Sequence, residues 1–265
     1  MIRNVAIQVH PRKPEAAAAA KKLRRLLAGK AAVVPLSKAE ILFVLGGDGM
    51  ILSAAPAAAV SGVPMVGVNV GRLGFLAECS ESNFELAVPY ILSEKYRVEE
   101  RRMLEVWDIS SRIRRRKLGT ALNEMLLIRE GLGRIVEMSV SIGGESSGLF
   151  NADGVMISTP TGSTGHALAA GGPVISPSLP AFLIVPICPH PPRVRPMVVD
   201  EEDIEVGWTG RYRDLRVSLD GRRTYHLSPG PKSILVRPSP DVARFVRLKR
   251  RHAPSFYNIV RQKLI

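Results

Sequence analysis

The apolar positions in the first part of the chain alternate between strand-like and helix-like spacing. Residues 3–9, 41–45 and 63–68 are mostly apolar runs, which is typical of strands that are buried on both faces. Residues 14–27 and 50–60 are rich in alanine and are predicted to form helices. Strands and helices that alternate in this way predict an α/β domain with a parallel sheet.

The pattern changes near residue 95. Beyond it the apolar segments are short and are separated by turn residues: 104–109, 118–123, 135–142, 155–158 and 215–219. This spacing predicts mostly antiparallel β-structure, with one helix at residues 163–170. We therefore predict an α/β domain over residues 1–98, a β-rich domain over residues 99–240, and a basic, amphipathic tail over residues 241–265 that packs back onto the body.

The composition is that of a folded cytoplasmic protein. Of the 265 residues, 46% are hydrophobic and 23% are charged, which excludes wholesale disorder. No apolar run approaches the roughly 20 residues that a membrane helix needs, and no export signal is recognisable at the N-terminus. Cys79 and Cys188 fit neither a disulfide framework nor a metal-ligand spacing. We therefore expect no membrane partner and a reducing, cytoplasmic location.

The charge balance is strongly basic, with a net charge of +13 and a pI near 10.3. Such an excess favours an anionic partner or ligand, and nucleic acid is the first class to consider. The longest basic run, residues 112–117, is nevertheless short, and no RNA-binding motif or zinc-finger spacing is present. A solvated basic surface is the simpler interpretation, so a nucleic-acid partner is not expected.

One candidate for chemistry is the turn Gly46-Gly47-Asp48-Gly49, which follows a buried strand and precedes a helix. Glycines let the backbone approach phosphate oxygens, and the start of a helix favours an anion. Asp48 fits a base that takes a proton from a hydroxyl nucleophile, or a Mg²⁺ contact. The alternative is a tight turn in which Asp48 only caps the next helix. By itself the turn favours that alternative, and the chain contains neither a P-loop nor a GxGxxG motif.

A second polar cluster runs from Asn151 to Pro173 and contains Asp, Ser, Thr and His among glycines. Hydroxyls and backbone N–H groups at a strand-to-helix turn suit a polyol or diphosphate ligand. The alternative is an ordinary loop in which Ser163 caps the following helix. A third polar pair, Asn123-Glu124, lies at the end of a predicted strand and would mean little alone.

Taken together and in order, these motifs resemble those of NAD kinases. The resemblance covers nearly the whole chain from residue 41 and rests on the GGDG turn, residues 67–76, Asn123-Glu124, residues 153–173 and residues 186–196. Asp220-Gly221 and residues 255–264 continue it. The resemblance implies a Rossmann-like N-terminal domain and a β-rich, β-sandwich-like C-terminal domain, with NAD between them.

The resemblance also implies roles for individual residues. Asp48 would activate the adenosine ribose 2′-hydroxyl of NAD for attack on a γ-phosphate, to give NADP. Gly46, Gly47 and Gly49 would line the phosphates. Asn123 would contact the adenine and Glu124 the ribose hydroxyls.

The remaining residues that the resemblance assigns to NAD binding fall into three groups. Those on the adenosine side are Thr161, Thr164, Gly165 and His166. Those at the nicotinamide end are Asp153 and the backbone of Cys188, and Phe75 would lie beside the bound dinucleotide.

The partners implied are NAD and a phosphate donor, either ATP or inorganic polyphosphate, with Mg²⁺ or another divalent metal. Family members form homodimers or homotetramers in which a neighbouring subunit completes the site. Two alternatives remain: a lipid or sphingoid kinase with the same GGDG turn, which would need a long apolar pocket, and a non-catalytic nucleic-acid-binding protein.

The chain departs from the family pattern at two positions. Met50 replaces the threonine that usually follows GGDG, and His166 replaces a tyrosine. We interpret Met50 as facing the phosphate donor, and its burial against the sheet is the alternative. His166 offers a smaller, titratable ring to the adenosine than tyrosine would.

Overall fold

The computed structural model describes residues 1–71, 74–111, 115–131, 135–209, 215–227, 232–248 and 255–264. The chain divides into two compact units. The first unit comprises Met1–Arg101 and Asp241–Ile265, and the second comprises Arg102–Pro240.

The first unit is built on a mostly parallel sheet flanked by helices. Its elements up to residue 101 are β1 (Asn4–Val9), α1 (Pro14–Leu27), β2 (Ala32–Val33), β3 (Ile41–Gly46), α2 (Asp48–Val60), β4 (Met65–Asn69), β5 (Cys79–Ser80), α3 (Phe84–Leu92) and β6 (Arg97–Arg101). Every residue of β3 is buried, as its unbroken apolar sequence predicts. Helix α2 begins two residues earlier than predicted and continues through Pro56.

The second unit consists of two antiparallel sheets. Its elements are β7 (Leu104–Asp108), β8 (Arg116–Ala121), β9 (Glu124–Arg129), β10 (Val136–Ile142), β11 (Glu145–Ala152), β12 (Gly154–Ser158), α4 (His166–Ala169), β13 (Ala181–Ile187), β14 (Met197–Asp200), β15 (Ile204–Trp208), β16 (Leu215–Leu219), β17 (Arg223–His226) and β18 (Lys232–Pro238). The sheet orders are β11-β10-β15-β18-β7-β8 and β14-β13-β12-β9-β16-β17.

The two sheets of the second unit share one core. Val106 and Val236 of one sheet belong to the same buried cluster as Leu127 and Ile157 of the other. Residues of both sheets therefore face each other across an apolar layer, as in a β-sandwich. The predicted fold class, an α/β domain followed by a β-rich domain, is confirmed.

The predicted helix at 163–170 is shorter in the structure. Residues Gly162–Thr164 form a 3₁₀ turn, and α4 is a single turn of four residues. Gly165 separates the two with a backbone that is not helical (φ −101°, ψ −129°), so the helix cannot run through it.

Beyond residue 240 the chain returns to the first unit. Strand β19 (Ala243–Arg247) pairs in parallel with β4 and antiparallel with β6, giving the order β2-β1-β3-β4-β19-β6, with β5 also paired to β4. Helix α5 (Phe256–Leu264) follows. The C-terminal segment thus supplies an interior strand of the first sheet. No helix in the part of the chain that the structure describes is both long and apolar enough to cross a membrane.

Candidate active site

Asp48 lies at the carboxyl end of β3, where a parallel sheet of this kind offers a binding site. Strand β1 has β2 on one side and β3 on the other, so the strand order reverses between β1 and β3. Open α/β sheets bind ligands outside the carboxyl ends of the strands at such a reversal. Asp48 is the first residue of α2 and is partly exposed at that place.

Two backbone groups hold the carboxylate of Asp48. Phe75 N–H donates to Oδ2 at 2.7 Å, and Leu76 N–H donates to Oδ1 at 3.2 Å. The N-cap position of α2 is taken by Gly47, and no side chain caps that helix. The interpretation of Asp48 as a mere helix cap is therefore wrong. Each carboxylate oxygen keeps a second lone pair, so the group can still accept a proton.

The structure contradicts the interpretation of Met50 as a residue that faces the donor. The Met50 side chain is 8% exposed and lies against Gly46, in the space that a β-carbon on Gly46 would occupy. Met50 shares its buried helix face with Ile51, Ala54 and Ala55. This i, i+4 spacing is visible in the sequence and indicates a side chain directed at the sheet.

In the second unit, Leu122 and Asn123 form the turn between β8 and β9, and Glu124 is the first residue of β9. A single carboxylate organises this turn, because Asp220 accepts the backbone N–H groups of Leu122 at 2.9 Å, Asn123 at 2.8 Å and Glu124 at 3.1 Å. The Asp220 N–H donates in return to the Glu124 carbonyl at 3.0 Å. The sequence contained Asp220 in a matching motif but gave no role for it, since its partners lie 96 to 98 positions away.

The loop after β12 packs against the same turn. Thr159 N–H donates to the Asn123 carbonyl at 2.8 Å, and the Thr159 hydroxyl donates to the Leu122 carbonyl at 2.6 Å. A β-carbon on Gly165 would lie 3.3 Å from Asn123 Nδ2 and 4.0 Å from Glu124 Oε2. The structure therefore brings Gly165 beside both side chains.

The buried polar atoms of this turn are arranged to receive donors. Asn123 Oδ1 and Glu124 Oε2 are buried and have no hydrogen-bond partner among the described residues. Burial, with the nearby carboxylate of Asp220, raises the pKa of Glu124 to about 7. A buried acceptor without a partner costs about 1–3 kcal/mol, which a ligand donor would recover.

The rest of the loop contains both exposed and structural residues. Thr164 Oγ1 donates to the Thr161 carbonyl at 3.2 Å, and His166 is exposed at the start of α4. The Ser163 hydroxyl is fully buried, donates to the Pro160 carbonyl at 2.7 Å and accepts the Ile175 N–H at 2.9 Å. Ser163 thus holds the loop closed, but it does not cap the following helix as the alternative interpretation expected, because Gly165 is the N-cap of α4 and no side chain caps that helix.

Asp153 and Cys188 lie at the other end of β12. Asp153 N–H donates to the Ile187 carbonyl at 2.9 Å, which places Asp153 beside the residue that precedes the exposed Cys188. Arg129 Nε donates to Asp153 Oδ1 at 2.7 Å, a partner that sequence reasoning missed. The five residues of β12 separate Asp153 from the Asn123-Glu124 turn by about 17 Å.

Phe75 belongs to the first unit and is packed by the C-terminal helix. Its ring lies 6.5 Å from the Phe256 ring, and Lys263 Nζ lies 4.9 Å from the Phe75 ring centre. Residues 72–73 of the matching segment lie outside the described residues. Phe75 therefore contacts Asp48 through its backbone and helix α5 through its ring.

A divalent metal is compatible with these residues only in part. Among the described residues, no three His, Cys, Asp or Glu side chains are grouped so as to hold a metal ion. Mg²⁺ is usually held by one or two carboxylates together with substrate phosphates. Asp48 can supply one carboxylate, so the site fits a metal that is bound mainly by a phosphate donor.

These features define a class of protein before any comparison. A carboxylate at the reversal point of a parallel sheet, and a separate turn whose buried acceptors have no partner among the described residues, suit a nucleotide-dependent phosphotransferase. Residues 36–96 match the family described as the ATP-NAD kinase N-terminal domain, and residues 122–248 match the ATP-NAD kinase C-terminal domain. The chain belongs to the NAD kinase family.

Individual relatives agree with this assignment. The NAD kinase of Aquifex aeolicus is 38% identical over 226 residues, covering 85% of this chain and 81% of that protein. The NAD kinase of Carboxydothermus hydrogenoformans is 34% identical over 255 residues, covering 92% and 88%. The chain is therefore an enzyme that transfers a phosphoryl group, and the nucleic-acid-binding and lipid-kinase alternatives are set aside.

Two solved structures share the fold. Yeast NADH kinase complexed with NADH aligns with a TM-score of 0.87 at 21% identity, covering 99% of this chain and 88% of that chain. An NAD kinase from Archaeoglobus fulgidus in complex with ATP aligns with a TM-score of 0.75 at 24% identity, covering 95% and 96%.

Proposed function

We propose that this enzyme transfers the γ-phosphoryl group of ATP to the adenosine ribose 2′-hydroxyl of NAD, giving NADP and ADP. The observation that carries the proposal is the pair of buried oxygens, Asn123 Oδ1 and Glu124 Oε2, that have no partner in the described part of the chain. The adenine amino group and a ribose hydroxyl are donors of the right kind for these two acceptors.

In its ionised form, the Glu124 carboxylate is suited to bind a ribose. A carboxylate only accepts hydrogen bonds, so it suits the two hydroxyls of a ribose, whereas a protonated carboxyl would have to donate one. Gly165 lies beside Asn123 and Glu124 and presents no side chain to them, and Thr161 and Thr164 belong to the same loop. We assign this group, together with His166, to the adenosine end, and Asp153 with the Cys188 backbone to the nicotinamide end.

Asp48 is assigned as the general base. The ribose 2′-oxygen forms a bond to the γ-phosphorus while the bond from that phosphorus to the bridging oxygen of ADP breaks, and the hydroxyl proton passes to Asp48. The backbone N–H groups of Phe75 and Leu76 fix the carboxylate in place, so little reorientation is needed when the proton moves. Gly46, Gly47 and Gly49 give the phosphates access to the start of α2.

ATP is preferred to polyphosphate as the proposed donor. The description of the matching family names ATP, and the Archaeoglobus fulgidus enzyme was solved with ATP. A divalent metal, bound by the donor's phosphates and reached by Asp48, would neutralise charge on the transferred group. We also propose that the enzyme is located in the cytoplasm and that it assembles as a homodimer or homotetramer.

Direct measurement of NADP tests the proposal. The purified protein is incubated with Mg²⁺, with NAD or NADH as acceptor, and with ATP, another triphosphate or inorganic polyphosphate as donor. NADP is then quantified with an NADP-specific dehydrogenase. Formation of NADP with ATP supports the proposal, formation with polyphosphate alone changes the donor, and no phosphorylated dinucleotide with any donor overturns it.

A further inference from the structure

The backbone of Phe75 and Leu76, which binds the Asp48 carboxylate, is itself held by a second hydrogen bond, made by the Leu76 carbonyl. Leu76, whose N–H donates to Asp48, is 3% exposed, and its carbonyl accepts a hydrogen bond from Arg247 Nη1 at 3.3 Å. Arg247 is the last residue of β19 and lies 171 positions from Leu76 along the chain. A single residue, Leu76, therefore links the arginine to the carboxylate, through its carbonyl on one side and its N–H on the other.

A buried ion pair, in addition, fixes the side chain of Arg247. Its Nη1 lies 3.1 Å from Glu78 Oε2, and its Nη2 lies 3.4 Å from Glu99 Oε1. The side chains of Arg247 and Glu78 are only 11% and 4% exposed. Glu78 Oε1 also accepts the Leu248 N–H at 2.6 Å. The planar guanidinium thus bridges one carbonyl and two carboxylates in one arrangement, which a lysine could not reproduce.

Part of this network crosses between strands, because Arg247 belongs to β19 and Glu99 to β6. The backbone of β19 is nevertheless already paired with β4 and β6, and Phe245 and Val246, both fully buried, pack on its two opposite faces. A buried ion pair is weak support for stability, because the cost of removing the charges from water offsets their attraction. What the network provides is a fixed direction for the hydrogen bond from Arg247 to the Leu76 carbonyl.

We infer that Arg247, held by Glu78, is a positioning residue that orients the catalytic carboxylate of Asp48 through the backbone of Leu76. This inference rests on the proposed role of Asp48 as base. Loss of Arg247 leaves the Leu76 carbonyl without this donor, so the backbone of Leu76 can shift and its N–H no longer fixes Asp48 Oδ1. Misplacement of a catalytic group by about 1 Å can cost about 100-fold in rate, although the residue changed never touches substrate.

The test compares Arg247→Met with a matched control on the same strand. Arg244 also belongs to β19 and pairs with Glu100 at 3.1 Å, but these two side chains are 36% and 58% exposed. We expect Arg247→Met to lower kcat by about 10- to 100-fold with the KM for NAD within about twofold, and Arg244→Met to change neither. Arg247→Lys should show an intermediate loss, because one ammonium group replaces only part of the network.

A second variant separates the effect of Arg247 on folding from its effect on the position of Asp48. Arg247→Met leaves Glu78 buried without its partner, which destabilises the fold. The double variant Glu78→Gln/Arg247→Met removes both charges, and its glutamine can still accept the Leu248 N–H. We expect this variant to keep the wild-type circular dichroism spectrum and to lose kcat as Arg247→Met does. A kcat per folded molecule equal to wild type in this variant overturns the inference.

A double-mutant cycle shows whether Arg247 acts through Asp48. In the Asp48→Asn background, Arg247→Met should cause no further loss of kcat, because the group that it positions is no longer a base. An equal fold-loss in both backgrounds would show that Arg247 acts independently of Asp48 and would overturn the inference. Failure of the proposed function is distinguished in the same assay, because the wild-type protein would then form no NADP.

Discussion

The carboxylate of Asp48 occupies the space in which a β-carbon on Gly74 would stand. Gly74 is buried, and a side chain at that position would overlap both carboxylate oxygens. The turn after Gly74 can therefore fold around Asp48 and direct two N–H groups at it only because residue 74 has no side chain. A sequence motif 26 positions away from the aspartate is in this way part of its binding site.

The first prediction is that a change at either residue, Asp48 or Gly74, lowers turnover. Asp48→Asn keeps the shape of the side chain but cannot accept the proton, so turnover should fall by about 10²–10⁴ while NAD binding changes little. Gly74→Ala should lower turnover similarly, because the added methyl displaces the carboxylate. Steady-state kinetics and NAD titration measure both. Near-normal turnover of Asp48→Asn would show that Asp48 is not the base.

The second prediction concerns the adenosine end. Glu124→Ala removes an acceptor for the ribose hydroxyls and should weaken NAD binding by about 1–3 kcal/mol, or roughly 5- to 150-fold. Glu145→Ala removes the same side chain from an exposed position of β11, and Arg115→Ala removes an exposed charge, so both should change little. Isothermal titration with NAD measures all three. Equal losses would point to a diffuse electrostatic site. Arg114, a further candidate for this control, lies outside the described residues.

The third prediction is a pH dependence with a defined sign. Burial beside Asp220 raises the pKa of Glu124 from 4.5 to about 7 in the folded protein. Between these values the folded state binds a proton that the unfolded state has released, so the stability gained at low pH is lost as the pH rises through 7. The change is about 3 kcal/mol at most. Denaturant unfolding at pH 5 and pH 8 measures it, and Glu124→Gln should remove this difference.

Binding of NAD should follow the opposite trend. If ribose hydroxyls donate to the ionised carboxylate, affinity rises with pH and levels off above about 7, where Glu124 is already deprotonated. Each pH unit below that value should weaken binding about tenfold, and the Gln variant should show no such slope. A flat profile for the wild type would mean that NAD does not contact the ionised form of Glu124.

The fourth prediction follows from the burial of Met50. Met50→Thr should lower the free energy of unfolding by about 1–3 kcal/mol, because a buried thioether is replaced by a smaller side chain with an unpaired hydroxyl. The KM values for ATP and NAD should stay the same. Val60→Thr at the end of the same helix, where the side chain is 71% exposed, is the matched control. A lower KM for ATP in Met50→Thr, with unchanged melting temperature, would restore the donor-facing interpretation.

The fifth prediction concerns assembly. The resemblance to NAD kinases implies that a neighbouring subunit completes the site, so light scattering should give a multiple of the 28.8 kDa chain mass. Dilution to monomers should abolish activity, and reconcentration should restore it. A monomer with full activity would remove the need for a second subunit.

The parts of the site that the sequence could predict are those formed by neighbouring residues. The strand, the GGDG turn and the helix that follows are contiguous, so their patterns predict both the fold and the place of Asp48. Asp220 and Arg247 were beyond such reasoning, because each acts on residues about 100 or more positions away and nothing in its own neighbourhood indicates the partner. Met50 is different, since its spacing relative to Ala54 already indicated burial.

The C-terminal segment shows the same limit at the level of a whole element. Its apolar residues predict that it packs onto the body, but they do not indicate which sheet accepts it. Phe245 is fully buried, as a core residue should be, and its backbone pairs with Met65 of β4. Strand pairing is decided by the sheet edge that is left open, and that edge is defined by residues far earlier in the chain.

The position of β19 inside the first sheet has a consequence for the order in which the protein can be made. The ribosome releases the residues of the first unit up to Arg101 long before residues 243–247 exist, so the nascent sheet must wait with a gap between β4 and β6. The second unit is contiguous and can fold during that interval. Catalytic competence therefore arrives only after residues 243–247 have been made, and a chain that stops before them carries the GGDG turn without the strand that supports it.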